Sequence, residues 1–344
     1  MSKFRANSHR TSFLAWGVLL SIFTLVWCCG SAAAADKPYY EGKNIRILIP
    51  YSPGGTSDIF ARLLARYMSQ FIPGNPAIIV QNMPGGGGLV TMNYLYNIAK
   101  PNGLTFGHTS VPGVRDQLIG NPGVKFDFRK FDYLGSGGPT YQVFAMREAL
   151  PYKTLGEMKK AKKTVFIGIG SKGSTTSIVT GILKREGFNV KGVSGYRGSA
   201  PRSAAVIKGE VDATLFESVT ATREQKNLRG FFWVASKAKL WNDLPNLSEL
   251  PFSDTTRSLL SAVTTPVNLA HTFLAPPNTP PERLKILRQA FEKTVKLPEF
   301  VAKANQIHMP VEWLSAKETK AKALVVLDTP PEGVAALRKI VGMK

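Results

Sequence analysis

The feature that most constrains this fold is a repeated unit, in which a short apolar run leads into a glycine-rich turn and then into a helical pattern. In the first unit, residues 45–49 are apolar apart from one arginine, Pro53-Gly54-Gly55 follow, and residues 57–71 carry apolar side chains at helical spacing. Turns of this kind occupy residues 52–58, 83–88, 170–175 and 196–201. Short strands that alternate with helices are typical of parallel sheets with crossover helices. The sequence therefore predicts an α/β fold.

The same patterns give a coarse order of elements. Apolar runs predict strands at 45–50, 77–81, 104–109, 141–146, 164–169, 211–216, 231–235 and 269–275. Helical spacing predicts helices at 57–71, 88–99, 154–163, 174–186, 199–208 and 281–296. The 344 residues are enough for two domains, and no low-complexity linker separates them. We expect one lobe from residues 37–141 plus 268–344 and a second lobe from residues 142–267.

The N-terminus has the pattern of a secretory signal peptide. Residues 1–10 carry basic but no acidic side chains, residues 13–27 are mostly apolar, and residues 30–35 are small and offer an A-x-A cleavage site. We therefore expect residues 1–35 to be removed on export to the periplasm. A retained membrane anchor is the alternative, because the apolar region is slightly long.

Both cysteines of the chain, Cys28 and Cys29, fall within this N-terminal segment. Lipid attachment needs a small residue before the modified cysteine, and Trp27 precedes Cys28. The mature protein would contain no cysteine, which excludes disulfides and cysteine nucleophiles.

The glycine-rich turns are candidate sites for an anion. A helix N-terminus presents unpaired backbone N–H groups and the positive end of the helix dipole, and glycine lets an anion come close to the backbone. Such turns lie together at the carboxyl ends of parallel strands, where α/β proteins bind ligands. A formal charge of +21 would also attract anions. The alternative is that glycine and serine serve here as ordinary turn and capping residues.

Catalytic and metal-binding patterns are missing from the sequence. Beyond the leader, His108, His271 and His308 show no metal-ligand spacing, and there is no G-x-S-x-G or Walker motif. We therefore expect no catalytic residue, no metal and no cofactor. An exported enzyme that uses Asp58 or His108 for proton transfer stays an alternative. The basic run 159–163 lacks interleaved aromatic residues, so we expect no nucleic-acid partner.

A nucleotide site is a further alternative. Residues 168–173 match G-x-G-x-x-G between a predicted strand and a predicted helix. The acidic residue expected about 20 positions later is absent, since Lys191 and Val193 stand there.

Several segments together resemble one known family. They are "IRILIPYSPGGTSDIFARLLARYM", "IIVQNMPGGGG", "KPNGLTFGHTS" and "YRGSAPRSAAVIKGEVDATLFES", followed later by "LWNDLPNLSEL" and "FLAPPNTPPERLKIL". In this order they resemble the Bug-type extracytoplasmic solute receptors, which are the binding proteins of tripartite tricarboxylate transporters. The resemblance covers essentially all of the chain after the leader.

The resemblance implies a two-lobed periplasmic-binding-protein fold of the type II kind, in which each lobe is a mixed or parallel sheet flanked by helices. It implies a monomer that closes on a small carboxylate, aliphatic or aromatic, and delivers it to membrane permease subunits. A ligand-sensing partner of a membrane signalling protein would have the same fold and ligand chemistry, and it remains the alternative.

The resemblance also implies a set of ligand-binding residues. From the first lobe they are Ser52, Gly54, Gly55, Thr56, Asp58, Pro84, Gly85, Gly86, Thr109 and Ser110. From the second lobe they are Ser171, Gly173, Ser174, Thr175, Tyr196, Arg197, Gly198 and Glu217. This sequence departs from the family where Arg197 replaces a frequent lysine and where Glu217-Ser218 replaces an Asp-Asn pair. An arginine can grip a carboxylate through two hydrogen bonds.

Overall fold

The computed structural model describes residues 37–109, 111–171, 173–196, 198–235, 237, 240–257 and 259–343, without the side chains of residues 111, 112, 255 and 261. The predicted signal peptide, residues 1–35, lies outside the described residues. Within these ranges, each helix is too short or too polar to cross a bilayer.

In the described part of the chain, six strands form a first mixed sheet. Its strands are β1 (Asn44–Ile49), β2 (Ala77–Asn82), β3 (Thr105–His108), β4 (Asp132–Ser136), β10 (Thr272–Ala275) and β11 (Leu314–Ser315), in the spatial order β11-β4-β10-β3-β1-β2. Strands β2, β1 and β3 are parallel, whereas β10 runs antiparallel to both β3 and β4. The turns that follow β1, β2 and β3 therefore meet at one edge of this sheet.

A second mixed sheet contains the middle of the chain. Its strands are β5 (Gln142–Arg147), β6 (Val165–Gly168), β7 (Val190–Val193), β8 (Ala213–Glu217) and β9 (Leu228–Trp233), in the order β7-β6-β8-β5-β9. Strands β7, β6 and β8 are parallel, and β5 is antiparallel to β8 and β9. Two mixed sheets with helices around them confirm the predicted α/β class.

The helices of the described residues flank the two sheets. They are α1 (Thr56–Met68), α2 (Leu89–Asn97), α3 (Val111–Leu118), α4 (Leu155–Lys159), α5 (Thr175–Arg185), α6 (Ser199–Lys208), α7 (Ser218–Arg223), α8 (Asp254–Arg257), α9 (Leu260–Asn268), α10 (Pro281–Val295), α11 (Pro298–Gln306), α12 (Ala316–Leu327) and α13 (Pro331–Ile340). Helix α1 buries Phe60, Leu64 and Met68, which recur every four residues and so lie on one face. The amphipathic spacing read from the sequence therefore places α1 against the first sheet.

The sequence prediction missed several elements. Strands β4, β7 and β11 were not predicted, nor were helices α3, α7, α8, α9 and the helices after α10. Strand β4 reads Asp-Tyr-Leu-Gly-Ser and has no apolar run to mark it. Its backbone is held instead by pairing with β10 on one side and β11 on the other, and this pairing is decided by distant parts of the chain.

The chain passes from the first sheet to the second between β4 and β5 and returns between β9 and β10. The C-terminal helix α13 then packs on the second sheet. Its Leu337 and the following Val341 belong to the same buried cluster as Ile182, and Arg338 Nε donates to the carbonyl of Ile119 at 2.8 Å. Residues 331–341 thus contribute to the second core although they follow the strands of the first sheet. The lobe boundaries at 141/142 and 267/268 remain a prediction.

Candidate functional site

The Pro-Gly-Gly turn between β1 and α1 is held in shape by Asp58. The Asp58 carboxylate accepts hydrogen bonds from Gly54 N–H at 2.9 Å, from Asn82 Nδ2 at 2.9 Å and from Arg62 Nε at 3.0 Å. Burial alone would raise the pKa of Asp58, but the hydrogen bonds from Arg62, Gly54 and Asn82 outweigh it and lower the pKa. Gly54 has a φ of +81°, which favours glycine. Asp58 therefore fixes the turn and does not line the cleft.

Gly55 marks the place where the two lobes touch. A Cβ on Gly55 would lie 3.0 Å from Ser199 Oγ on α6, and a Cβ on Gly198 would lie 3.5 Å from the backbone nitrogen of Ser52. The first and fourth glycine turns thus face each other at van der Waals distance, so the cleft is closed. A side chain at Gly55 would therefore crowd Ser199 where the lobes touch, a role for this glycine that the sequence interpretation did not assign.

A carboxylate of the second lobe lies at the N-terminus of α1. Glu217, at the end of β8, accepts hydrogen bonds through Oε2 from Thr56 N–H at 3.3 Å and from Ser199 Oγ at 3.1 Å. The N-terminus of a helix favours a negative charge. At the helix N-terminus where the sequence predicts a bound anion, the structure places the Glu217 carboxylate of the protein itself.

The closed cleft contains an inner and an outer chamber that share Tyr51, Ser174, Gly198 and Arg202. The inner chamber is small, about 60 Å³, and the outer chamber holds about 470 Å³. The inner chamber is otherwise lined by Gly55, Ser57, Thr140, Gln142, Thr175, Thr176, Ser199, Glu217 and Ala270. The outer chamber is otherwise lined by Pro50, Pro84, Gly85, Gly86, Gly87, Gly170, Ser171, Gly195 and Tyr196.

Ten of the predicted ligand residues line these chambers. They are Gly55, Pro84, Gly85, Gly86, Ser171, Ser174, Thr175, Tyr196, Gly198 and Glu217. Neither chamber is lined by Ser52, Gly54, Thr56, Asp58 or Gly173, and Thr109 lines a separate apolar pocket beside Val114 and Leu269. Ser110 and Arg197 lie outside the described residues.

Arg202 is the cation that the sequence interpretation missed. It lies on α6 and is only 8% exposed; its Nη1 donates to the carbonyl of Gly198 at 3.0 Å, and its buried Nε has no hydrogen-bond partner. Burial lowers the pKa of Arg202, and the nearby Glu217 carboxylate opposes this shift. The sequence held one clue, since Arg202 stands in the first turn of the helix that follows the fourth glycine turn.

Thr140 and Gln142 were missed as well. Thr140 Oγ1 and Gln142 Oε1 are buried in the inner chamber without hydrogen-bond partners. Gly137-Gly138-Pro139 precede them, but this turn leads into strand β5 and not into a helix, so it does not match the repeated unit of the sequence. Their position could only be found once β5 was paired with β8.

The third glycine turn is clamped by a buried arginine of α3. Arg115 is fully buried; its Nη1 donates to the carbonyl of Gly173 at 3.2 Å and its Nη2 to Thr175 Oγ1 at 2.9 Å. Burial lowers the pKa of Arg115 to about 10. A Cβ on Gly173 would lie 2.6 Å from Asp116 Oδ1, so only glycine fits there. Arg115 and the close contact with Asp116 therefore hold Gly173 and Thr175 in place.

Two histidines are buried behind the chambers. His108 Nδ1–H donates to the carbonyl of Thr109 at 2.8 Å, and His108 Nε2 lies 3.4 Å from His271 Nδ1. Burial lowers the pKa of His108 to about 4, and burial and the neighbouring His108 hold the pKa of His271 well below its usual value. Neither ring lines a chamber, so His108 is not placed for proton transfer to a ligand. Among the described residues, no cluster of His, Cys, Asp and Glu could hold a metal ion.

Comparison with known proteins gives one matching family. The model of the tripartite tricarboxylate transporter family receptor matches residues 60–324. A UPF0065 protein of Cupriavidus necator is 24% identical over 319 residues, which cover 90% of this chain and 92% of that protein. Protein BugT of Bordetella pertussis is 22% identical over 289 residues, which cover 81% of this chain and 84% of BugT.

Solved structures share the fold. The periplasmic binding protein BugD superposes with a TM-score of 0.74 at 18% identity, covering 89% of this chain and 99% of BugD. A Rhodopseudomonas palustris protein with adipate superposes with a TM-score of 0.70 at 17% identity, covering 88% of this chain and 98% of that protein. MatC from Rhodopseudomonas palustris with bound malate superposes with a TM-score of 0.69 at 17% identity, covering 87% of this chain and 99% of MatC. The two-lobed periplasmic-binding-protein fold is therefore established.

Proposed function

Because the chain belongs to the tripartite tricarboxylate transporter family of receptors, we propose that it captures a small carboxylate between its lobes in the periplasm and delivers it to membrane permease subunits. Membership of the family makes the chain a solute-binding receptor. The carboxylate ligand, the periplasmic location and the permease partner are what we propose for this chain.

The observation that carries the proposal is the set of hydrogen-bond donors in the closed cleft. Arg202 lines both chambers, and Ser171 and Ser174 line the outer one. The cleft therefore offers a ligand a positive charge and hydroxyl groups. A carboxylate has only acceptor atoms and pairs with a guanidinium through charge-assisted hydrogen bonds.

Two structural neighbours support this ligand class. One of these structures contains adipate and the other malate, and both compounds are dicarboxylates. Their lobes have the same fold as this chain, although their identity to it is too low to transfer individual contacts.

The remaining parts of the proposal rest on the family and the N-terminal sequence. The basic, apolar and small segments of residues 1–35 match a signal for export. A receptor in the periplasm needs a membrane partner to move its ligand inward. Closure brings the turns that contain Gly55 and Gly198 together, and the closed surface would differ from the open one in a way that a permease can recognise.

A ligand screen tests the proposal. The full chain is expressed with its leader, recovered from the periplasmic fraction and heated with mono-, di- and tricarboxylic acids and aromatic acids, with sugars and nucleotides as controls. A ligand present at about 100 times its Kd stabilises the folded state by about 2.7 kcal/mol, which raises Tm by a few degrees. A response to nucleotides alone, or recovery of the ligand chemically altered, would contradict a carboxylate receptor.

A further inference from the structure

Two helix N-termini from different lobes meet at the closed cleft. Helix α1 begins after Gly55 and helix α6 begins after Gly198, so neither capping residue has a side chain that could accept a hydrogen bond. Ser199 Oγ, at the start of α6, lies 3.0 Å from the place of a Cβ on Gly55. A helix N-terminus carries unpaired N–H groups and the positive end of the helix dipole. Closure therefore brings two positive ends together, and an anion between them offsets their repulsion.

Glu217 supplies this anion from the protein itself. Its Oε2 accepts hydrogen bonds from Thr56 N–H at 3.3 Å and from Ser199 Oγ at 3.1 Å, and these donors belong to the first residue of α1 and the first residue of α6. The Glu217 charge also opposes the lowering of the Arg202 pKa by burial. One carboxylate of the second lobe thus joins both helix N-termini.

The next residue joins the lobes without a charge. Ser218 Oγ donates to the carbonyl of His308 at 3.1 Å. His308 follows α11, whose Phe300 packs on Phe60 of α1 with ring centroids 5.6 Å apart. Two neighbouring residues of the second lobe therefore contact the first lobe, and the anion belongs to Glu217 alone. A comparison of the two residues separates the effect of the anion from the effect of a contact between lobes.

The position of Glu217 has a consequence for an anionic ligand. Glu217 lines the inner chamber, which holds only about 60 Å³. A ligand carboxylate that enters the chamber meets the Glu217 charge at short range and competes with it for the N–H group of Thr56. A protein whose binding-competent state is only partly populated has a correspondingly lower apparent affinity. The contact between Glu217 and α1 therefore opposes ligand binding while it favours closure.

On the basis of the proposed function, we propose that Glu217 is an internal latch: its carboxylate takes the place of an anionic ligand at the N-terminus of α1, keeps the cleft closed in the ligand-free chain and is displaced when a carboxylate binds. The receptor then binds its ligand less tightly than the cleft alone would allow. The ligand-free and liganded closed states differ in the position of one negative charge where the lobes touch.

Small-angle X-ray scattering of the purified ligand-free protein tests the latch. Glu217→Gln keeps the shape of the side chain and removes its charge, so we expect a larger radius of gyration than in the unmodified protein because the lobes separate. Ser199→Ala removes one of the two donors and should give a smaller increase. Ser218→Ala removes the uncharged contact, and Glu210→Gln removes a charge at an exposed position. Both controls should scatter like the unmodified protein, and a cooperative thermal transition checks that every variant is folded.

Isothermal titration with succinate, malate and adipate tests the displacement. The acid that binds the unmodified protein should bind Glu217→Gln about tenfold more tightly, because it no longer displaces a charge-assisted hydrogen bond. It should also return the scattering of this variant to the compact form. Equal affinity in Ser218→Ala completes the comparison.

Two results overturn the latch. One is an unchanged radius of gyration in ligand-free Glu217→Gln, and the other is equal or weaker binding of the acid by this variant. In the second case a carboxylate still binds, so the proposed function stands. If no acid binds either protein, the proposed function fails, and the scattering of the ligand-free variants still decides whether Glu217 holds the cleft closed.

Discussion

Two regions that contain buried polar groups, one behind the cleft and one on the wall of the inner chamber, differ in their hydrogen bonds. Behind the cleft, Arg115 places both terminal nitrogens on acceptors of the third glycine turn, and His108 and His271 face each other away from both chambers. On the chamber wall, Arg202 places one terminal nitrogen on Gly198 and faces the cavity.

The difference shows that burial of a charge does not by itself identify a binding residue. The Nε of each arginine has no hydrogen-bond partner, but Arg115 donates to the protein through both terminal nitrogens and lines neither chamber. Arg202 donates through one terminal nitrogen, to the carbonyl of Gly198, and its side chain lines both chambers. The first region should therefore determine stability, and the second should determine affinity.

The largest expected effect is on stability, from Arg115→Met. The substitution removes the donor to the carbonyl of Gly173 and the positive charge beside the buried Asp116. Removing one charged partner from a buried group of this kind costs about 3–5 kcal/mol of unfolding free energy. Chemical denaturation measures this, with the exposed Arg223→Met as control. A destabilisation no larger than that of the control would show that the clamp is not needed for the fold.

The second largest effect is expected from acid, which should destabilise the fold through the buried pair His108 and His271. The pKa of His108 falls from 6.5 in the unfolded chain to about 4 in the folded protein, so the folded state resists protonation and loses stability as pH drops from about 6.5 towards 4. The pKa shift corresponds to about 3 kcal/mol for His108 alone. The pKa of Asp58 lies below 3.8, so the stability that its carboxylate contributes is lost mainly at lower pH than this window.

Unfolding free energies measured between pH 7 and pH 4 check the effect of acid. The slope should decrease in His271→Phe, where the new ring can stack on Phe60 as the imidazole does, with ring centroids 4.2 Å apart. The exposed His308→Asn serves as the control and should keep the slope. A flat profile in the unmodified protein would mean that the pair is accessible to protons in the folded state.

Arg202→Gln should weaken ligand binding and leave the stability of the fold unchanged, the opposite of the effect expected for Arg115→Met. Loss of a charge-assisted hydrogen bond to a carboxylate weakens binding by about 1.5–3 kcal/mol, whereas the carbonyl of Gly198 can accept from the new amide. Titration with the ligand found in the screen measures the affinity, and denaturation of the free protein measures the stability of the fold. Unchanged affinity would place the carboxylate elsewhere.

Gly55→Val should have the smallest effect of the four, about 1–3 kcal/mol of binding free energy from overpacking where the lobes touch. Its φ of −83° and ψ of 165° suit valine, so the turn itself should persist. A second substitution, Ser199→Ala, removes the oxygen that a Cβ on Gly55 would meet at 3.0 Å and should restore part of the affinity. If Gly55→Val binds as tightly as the unmodified protein, this contact is absent from the liganded state.

Much of the site could be predicted from the sequence because its glycine turns carry a local signal. Gly85 and Gly86 line the outer chamber because they follow β2, a strand that the sequence predicted, whereas Gly198 follows β7, which it did not predict. The sequence interpretation named Arg197, which lies outside the described residues, and did not name Arg202. Whether Arg202 lines the cleft depends on how α6 is rotated against the sheet, and no local pattern encodes that rotation.

The sequence by itself determined the α/β class, the strand-turn-helix units and the resemblance to a receptor family, because these depend on residue order over a few tens of positions. Tertiary structure alone decided that Glu217 reaches the N-terminus of α1 and that Gln142 stands beside it. Residues 56 and 217 are separated by 161 positions, and they meet because two sheets pack until their turns touch. Hydrogen bonds and charges act over a few ångströms, so the chemistry of the cavity arises only after that packing.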